Sequence, residues 1–155
     1  MKKILCLTTL FLLIACKESK GNKEDYICSP PPPTFSMWIN KNSEVHKEFI
    51  NERGNIDSTH IALYKQAGNT KKEYPIGFLY ETDPRGNTYL HIGTQLWFKN
   101  DVYTGKTETL YLQNASKTYK IEVNGYMEGD KCGEYAVTNE IRVDGVKVEY
   151  HYLAK

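Results

Sequence analysis

The amino-acid sequence predicts an all-β fold, an antiparallel β-sandwich of immunoglobulin-like type, in a single domain over residues 28–155. Short aliphatic and aromatic segments alternate between apolar and polar positions, turn signals recur about every ten residues, and no long amphipathic helix pattern occurs. With 12 Tyr, 5 Phe and 40% hydrophobic residues among 155, the chain has enough apolar material for one core. A small closed barrel is the alternative arrangement of these strands.

The first 15 residues have the organisation of an export signal. Lys2 and Lys3 give a positive start, and an uncharged, mostly apolar run follows from Ile4 to Ala15. A membrane-spanning helix needs about 20 apolar residues, and the charged residues from Lys17 onward end this run too early. We therefore expect residues 1–15 to be removed as a signal peptide.

The end of this segment, Leu13-Ile14-Ala15-Cys16, resembles the lipobox of bacterial lipoproteins. The resemblance implies that Cys16 is acylated and becomes the first mature residue, so that lipid anchors the protein to a membrane. Residues 16–27 then form a polar tether. Lys17 after the cysteine implies the outer membrane by analogy, and a periplasmic or surface orientation stays open. The alternative is an ordinary signal peptide that contains Cys16 by chance.

The whole chain is similar to small single-domain lipoproteins of Gram-negative bacteria. This resemblance implies a cellular location and a fold but no activity.

Cys6 leaves with the signal and Cys16 is lipidated, which leaves Cys28 and Cys132 in an oxidising compartment. We expect these two to form a disulfide, worth about 4 to 5 kcal/mol for a loop of roughly 100 residues in the chain-entropy model. A metal site is the alternative, but neither cysteine has a His or Cys at ligand spacing.

The first predicted strand is Phe35 to Asn40, after an extended proline segment at 30–33. One face of it carries Phe35, Met37 and Ile39, and the other carries Ser36, Trp38 and Asn40. Residues 43–52 predict an irregular or short helical connection. The remaining strand segments before the last hairpin are 61–65, 76–81, 88–92, 95–98, 109–113 and 119–126.

Two turns have a specific chemical signature. In Asp83-Pro84-Arg85-Gly86-Asn87, Pro84 fixes φ and Gly86 or Asn87 accepts a positive φ. Asp144-Gly145, between Val143 and Val146, predicts a two-residue type I′ hairpin.

That hairpin sets a register for the two strands that flank it. The predicted pairs are Val143 with Val146, Ile141 with Val148, Asn139 with Tyr150, and Val137 with Tyr152. The same register places Arg142 opposite Lys147 and Glu140 opposite Glu149, two like-charge pairs that need relief from neighbours or solvent.

Charge and motif patterns exclude several function classes. The formal charge is +1, and without Lys2 and Lys3 it becomes −1, with both signs interspersed, so nucleic acid is a poor candidate partner. The histidines, at 46, 60, 91 and 151, have no metal-ligand spacing. The pattern contains no nucleophile elbow, phosphate loop or dinucleotide fingerprint. We therefore predict no catalytic residue, metal or cofactor.

Acidic clusters are better explained as solvated turns. Glu128 and Asp130 flank Gly129, an arrangement common in exposed loops, so a pair of glycosidase carboxylates is disfavoured. A calcium ion could bind oxygen atoms of Asp83, Asn87, Asn100 and Asp101, but these residues lack EF-hand spacing, and we assign no metal to them.

Aromatic side chains are the remaining candidates for partner contact. Trp38 and Trp97, with Tyr103 and Tyr126, are suited to stack on sugar rings or to anchor a protein interface. The sequence thus predicts a non-enzymatic binding or accessory module of the cell envelope, with a protein or glycan partner. A periplasmic inhibitor or immunity-type lipoprotein is the alternative, and a hydrolase is the least favoured reading.

Overall fold

The computed structural model describes residues 31–96, 100–131 and 133–155, and these contain ten strands and one short helix. In chain order they are β1 (Thr34–Asn40), α1 (Glu44–Lys47), β2 (Ala62–Ala67), β3 (Thr70–Tyr74), β4 (Gly77–Thr82), β5 (Thr88–Gln95), β6 (Thr107–Gln113), β7 (Thr118–Asp130), β8 (Gly133–Val143), β9 (Val146–Val148) and β10 (Tyr152–Ala154). Within the described ranges, no helix has the length and hydropathy needed to cross a bilayer.

Two sheets pack face to face around one core, which confirms the predicted all-β sandwich. One sheet has four strands in the order β10-β1-β5-β4, and the other has six in the order β3-β2-β6-β7-β8-β9. The described strands pair in antiparallel fashion, except β1 with β10, which are parallel. The immunoglobulin-like arrangement is not confirmed, since β6 to β9 pair in simple sequence order within one sheet.

The core lies between the sheets, and strand alternation places its residues there. Phe35, Met37 and Ile39 of β1 are fully buried, as their spacing predicts. Alternate residues of β6 and β7 in the six-stranded sheet pack against this face. Its largest fully buried side chains include Leu63, Leu110, Leu112, Ile121 and Ile141.

Two segments differ from the sequence prediction. β3 was not predicted, because four of its five residues are exposed and its centre is the charged run Lys71, Lys72 and Glu73. The predicted strand at 95–98 is not a separate element in the described part, since Gln95 is the last residue of β5. The amide of Leu96 then donates to the carbonyl oxygen of Pro33 (2.8 Å).

The connection after β1 contains a single helical turn, as the ambiguous pattern at 43–52 predicts. The side chain of Ser43 caps this turn by accepting from the amide of His46 (3.2 Å). Beyond it, the carboxylate of Glu48 accepts from the hydroxyl of Tyr119 (2.6 Å) and the amide group of Asn114 (3.2 Å). These contacts tie the connection to the six-stranded sheet.

Both predicted turns are confirmed in detail. The carboxylate of Asp83 accepts from the amides of Arg85 (2.9 Å) and Asn87 (2.8 Å), and Gly86 has φ of +89°. In the hairpin, Asp144 and Gly145 both have positive φ, +50° and +81°, as a type I′ turn requires.

The hairpin register is correct for three pairs and wrong beyond them. Val143 pairs with Val146, Arg142 with Lys147 and Ile141 with Val148. The predicted pairs Asn139 with Tyr150 and Val137 with Tyr152 do not form. Tyr150 has φ of +49°, so the chain turns there, and β10 crosses to the other sheet to pair with β1.

Glu140 relieves the like-charge pair of that hairpin. Its carboxylate accepts from Nε of Arg142 (2.6 Å) and also from Nζ of Lys147 (3.1 Å). One acid therefore bridges the two cations that face each other. Glu149, which was expected opposite Glu140, forms an ion pair with Lys155 instead.

Candidate functional site

The outer face of the four-stranded sheet carries two rows of residues that cross β1, β5 and β4. Strand register and alternation define both rows. The large-residue row contains Trp38, His91 and Leu79, and the small-residue row beside it contains Ser36, Gly93 and Gly77. Because the small-residue row has almost no side chains, it forms a groove beside a wall of large ones.

The two glycines of the groove have different roles. A Cβ atom at position 93 would lie 2.8 Å from the Cβ of Ser36 and 2.9 Å from the carbonyl oxygen of Phe35. A Cβ at position 77 would have no atom within 4 Å. Gly93 thus permits a close approach of β1 and β5, whereas Gly77 leaves space open at the β4 end of the groove.

The groove has a volume of about 530 Å³, within the range of ligand-binding clefts. On its β4 side the lining includes Pro75 and the outward-facing Leu79, together with Ile76 and Phe78, whose side chains pack against the core. Among the described residues of the lining, His91 is the only titratable one. Burial lowers the pKa of its imidazole, against the opposing effect of Glu81, whose carboxylate lies 3.7 Å from Nδ1. The part of the lining that the structure describes is therefore uncharged at neutral pH.

Trp38 belongs to the large-residue row, and neighbouring aromatic side chains pack against its indole ring. The indole stacks on His91 of β5 at 4.3 Å between centroids, and on the β10 side it meets Tyr152 edge to face at 5.5 Å. Its Nε1 donates to the hydroxyl of Ser36 (3.1 Å). Trp38 is therefore half-buried and serves as a support for the groove more than as an open stacking platform.

β4 is an edge strand, because within the described residues it pairs with β5 alone. Backbone groups of successive strand residues point to opposite edges. The amide of Asp83, just past β4, donates to the carbonyl oxygen of Asn87 on the β5 side (2.8 Å). The odd-numbered residues of β4 therefore bond to β5, and the backbone groups of Phe78 and Tyr80 point toward the open edge.

The β4 edge lacks the protection that the other described sheet edges have. β9 and β10 are only three residues long, and β3 carries three consecutive charges. β4 has six residues and no charge from Gly77 to Tyr80, with Leu79 61% exposed and Tyr80 41% exposed. Short length and charge are two ways in which proteins keep edges from pairing with other chains. β4 is longer than the three-residue edge strands, and its single charge, Glu81, lies near its end.

The other sequence-predicted site residues fall in different places. Cys16, Cys28, Cys132 and Trp97 lie outside the described residues, so the lipidation site, the disulfide and the second tryptophan stay predictions. The prediction that Tyr103 contacts a partner at the surface is wrong. Tyr103 is buried, and its hydroxyl donates to the carbonyl oxygen of Thr34 (3.1 Å). Tyr126, on β7, is exposed but lies in the other sheet.

Polar groups that suggested metal binding are used within the fold. Asp83 holds its own turn, and Asp101 pairs with Nζ of Lys72 (2.5 Å) and accepts from the hydroxyl of Tyr74 (2.8 Å). His46 contacts the hydroxyl of Tyr80 (2.9 Å). Among the described residues, no three His, Cys, Asp or Glu side chains are grouped to hold a metal ion.

Sequence reasoning missed the groove and the open edge. Gly77 and Gly93 lie in or beside predicted strands, and a glycine inside a strand pattern signals a close backbone approach. That signal was available. Alignment of the two glycines with Ser36 depends on the register of three strands, which local sequence does not contain.

Comparisons with protein-family models, with curated proteins and with solved structures give no significant match to this chain.

Proposed function

We propose that this protein is a lipid-anchored, non-enzymatic binding module of the cell envelope that takes up an extended segment of a partner protein along β4. The partner segment would add to the four-stranded sheet as a further strand. The predicted anchor at Cys16 would hold the module at the outer membrane, within reach of other envelope proteins.

The observation that carries the proposal is the open edge of β4, uncharged from Gly77 to Tyr80, beside a groove whose described lining is uncharged. Strand addition supplies affinity through main-chain hydrogen bonds and specificity through pockets for alternate side chains. The backbone groups of Phe78 and Tyr80 offer the first, and the groove at Gly77 offers the second. Both features lie within one strand.

A peptide fits this face better than a glycan does. Sugar rings stack on an open aromatic face. The indole of Trp38 is covered by His91 on one side and approached by Tyr152 on the other. On the β4 side, the groove is instead bordered by the exposed aliphatic side chain of Leu79.

The make-up of the groove also favours binding over catalysis. Acid–base chemistry needs at least two convergent titratable groups or a nucleophile with its base. The described lining contributes one titratable side chain, His91, whose pKa is lowered mainly by burial. Its ring is stacked on Trp38 and so has a packing role.

Site-specific photo-crosslinking in intact cells tests the proposal. A photo-reactive residue replaces Leu79 in the full-length protein, and a second variant carries it at Val146, which is similarly exposed but lies in the other sheet. We expect a discrete adduct from position 79 whose partner peptide, mapped by mass spectrometry, comes from an envelope protein. Position 146 should give none.

Four outcomes would overturn the proposal. The first three are an adduct with a glycan, equal adducts from positions 79 and 146, and the absence of any adduct from position 79. A crosslink between two copies of this chain would also contradict it, because the partner would then be the protein itself.

A further inference from the structure

Three residues of β4 lie on its outward face beside the open edge, and each would contact an added strand in a different way. They are Gly77, Leu79 and Glu81. Because these odd-numbered residues bond to β5, each would form a non-hydrogen-bonded pair with the added strand. In such pairs the Cα atoms are about 4.5 Å apart and side chains touch closely. The side chains opposite them therefore decide specificity.

The position opposite Gly77 favours an aromatic residue. No atom lies within 4 Å of a Cβ at position 77, and the groove continues from there to Gly93 and Ser36. An aromatic ring on a neighbouring strand covers an edge glycine and fills the missing contact. A ring that lies over Gly77 would point into the groove.

The position opposite Leu79 favours an aliphatic residue. Leu79 is 61% exposed, and its neighbour on β5 is His91, whose lowered pKa keeps it neutral at neutral pH. A branched aliphatic side chain opposite Leu79 would remove apolar surface from water on both strands. A charge there would be desolvated without a partner.

The position opposite Glu81 favours a basic residue. The side chain of Glu81 is 62% exposed, and its carboxylate lies 3.7 Å from Nδ1 of His91. Glu81 is the only charged residue in β4. Opposite charges in a cross-strand pair are stabilising, and an acid there would be repelled.

We infer that the partner strand runs antiparallel to β4 and carries, from its N-terminal side, a basic, an aliphatic and an aromatic residue at alternate positions. This inference rests on the proposed function. Antiparallel ladders are slightly more stable per residue than parallel ones, and β4 already pairs with β5 in that way. The basic residue then lies opposite Glu81 and the aromatic residue opposite Gly77.

Two end-capped peptides of identical composition test this order. The first is Thr-Lys-Thr-Val-Thr-Tyr-Thr, and the second is its reverse, Thr-Tyr-Thr-Val-Thr-Lys-Thr. Binding to the full-length, lipidated protein in detergent is followed by NMR through the amide signals of Phe78 and Tyr80. We expect the first peptide to bind about tenfold more tightly, from one charge pair and one aromatic contact.

A groove-filling variant isolates the aromatic position. Gly77→Leu places a side chain in open space, so the fold should be unaffected. It should weaken the first peptide about threefold and have a smaller effect on a peptide with Ser in place of Tyr, because that peptide places no ring in the groove. Equal weakening of both would overturn the aromatic assignment.

The outcomes separate this inference from the proposed function. If both peptides shift the Phe78 and Tyr80 amides with equal affinity, strand addition stands and the side-chain order is wrong. Tighter binding of the reversed peptide would refute the antiparallel direction. If neither peptide shifts these amides, the order is also overturned, and crosslinking from position 79 decides strand addition by itself.

Discussion

The imidazole of His46 is buried, and those of His91 and His151 are half-buried. His151 donates from Nδ1 to the carbonyl oxygen of Ser36 (2.8 Å). The hydroxyl of Tyr103 likewise donates to the carbonyl oxygen of Thr34. These two hydrogen bonds satisfy carbonyl groups on the edge of β1 that do not pair with β10. Two side chains thus close the edge of β1, in contrast to β4.

Acidification should destabilise the protein through these histidines. Burial is the largest cause that lowers the pKa of His46, His91 and His151 from 6.5, with Lys41 adding to it at His46. The unfolded chain therefore binds more protons than the native state just below pH 6.5, so stability is complete above that pH and falls as pH decreases. Urea unfolding at about pH 7.5 and about pH 5.5 measures the loss. A free energy of unfolding that stays level or rises at the lower pH would contradict it.

The bond from His151 should contribute measurably to stability. His151→Leu leaves the carbonyl oxygen of Ser36 without this donor, and we expect a loss of about 1–3 kcal/mol in the free energy of unfolding. His151→Asn keeps an N–H in nearly the same place and should lose less. Denaturant unfolding of the two variants checks this order, and equal losses would show that the hydrogen bond is not the cause.

At the scale of elements, local sequence was sufficient to predict strands with clear alternation and turns with characteristic turn residues. Alternation in β1 and the Asp144-Gly145 turn were predicted correctly because both depend on neighbouring residues. The path after β9 was not, because Tyr150 adopts a positive φ without being glycine, asparagine or aspartate. Pairing with β1, far away in sequence, holds that conformation.

Alanine at the two groove glycines should give opposite results. Gly93→Ala forces a Cβ against Ser36 and the backbone of Phe35, and we expect a cost of about 1–3 kcal/mol. Gly77→Ala meets no atom and restricts the unfolded chain, so it should be neutral or stabilising by about 0.4–1 kcal/mol. Thermal and urea unfolding of both variants measures the difference. Equal destabilisation would mean that the sheet register across β1, β5 and β4 is different.

A charge on β4 should block partner uptake without unfolding the protein. Leu79→Lys adds a charged side chain to the edge strand β4, like the charged side chains of β3. Because Leu79 is largely exposed, the free energy of unfolding should change by less than about 0.5 kcal/mol. Crosslinking from a photo-reactive residue at Thr82, the exposed last residue of β4, should lose the partner adduct in this variant. Glu73→Lys, on β3, is the control and should keep it. Retention of the adduct in the β4 variant would argue against strand addition.

For the whole molecule, composition and strand spacing were enough to predict an all-β sandwich with one core. They did not give the sheet order, because β10 pairs with β1 and β2 with β6 across long stretches of chain. The groove has the same origin, since it exists only where Ser36, Gly93 and Gly77 come into register. The lipid anchor at Cys16 and the pairing of Cys28 with Cys132 lie outside the described residues and stay predictions.

Amide hydrogen exchange on the full-length protein, with and without the partner segment identified by crosslinking, tests strand addition along β4 most directly. The N–H groups of Phe78 and Tyr80 point to the open edge, whereas those of Leu79 and Glu81 already bond to β5. Strand addition predicts slower exchange at Phe78 and Tyr80 on binding, with Leu79 and Glu81 nearly unchanged. Unchanged exchange at Phe78 and Tyr80, with protection confined to the six-stranded sheet, would contradict it.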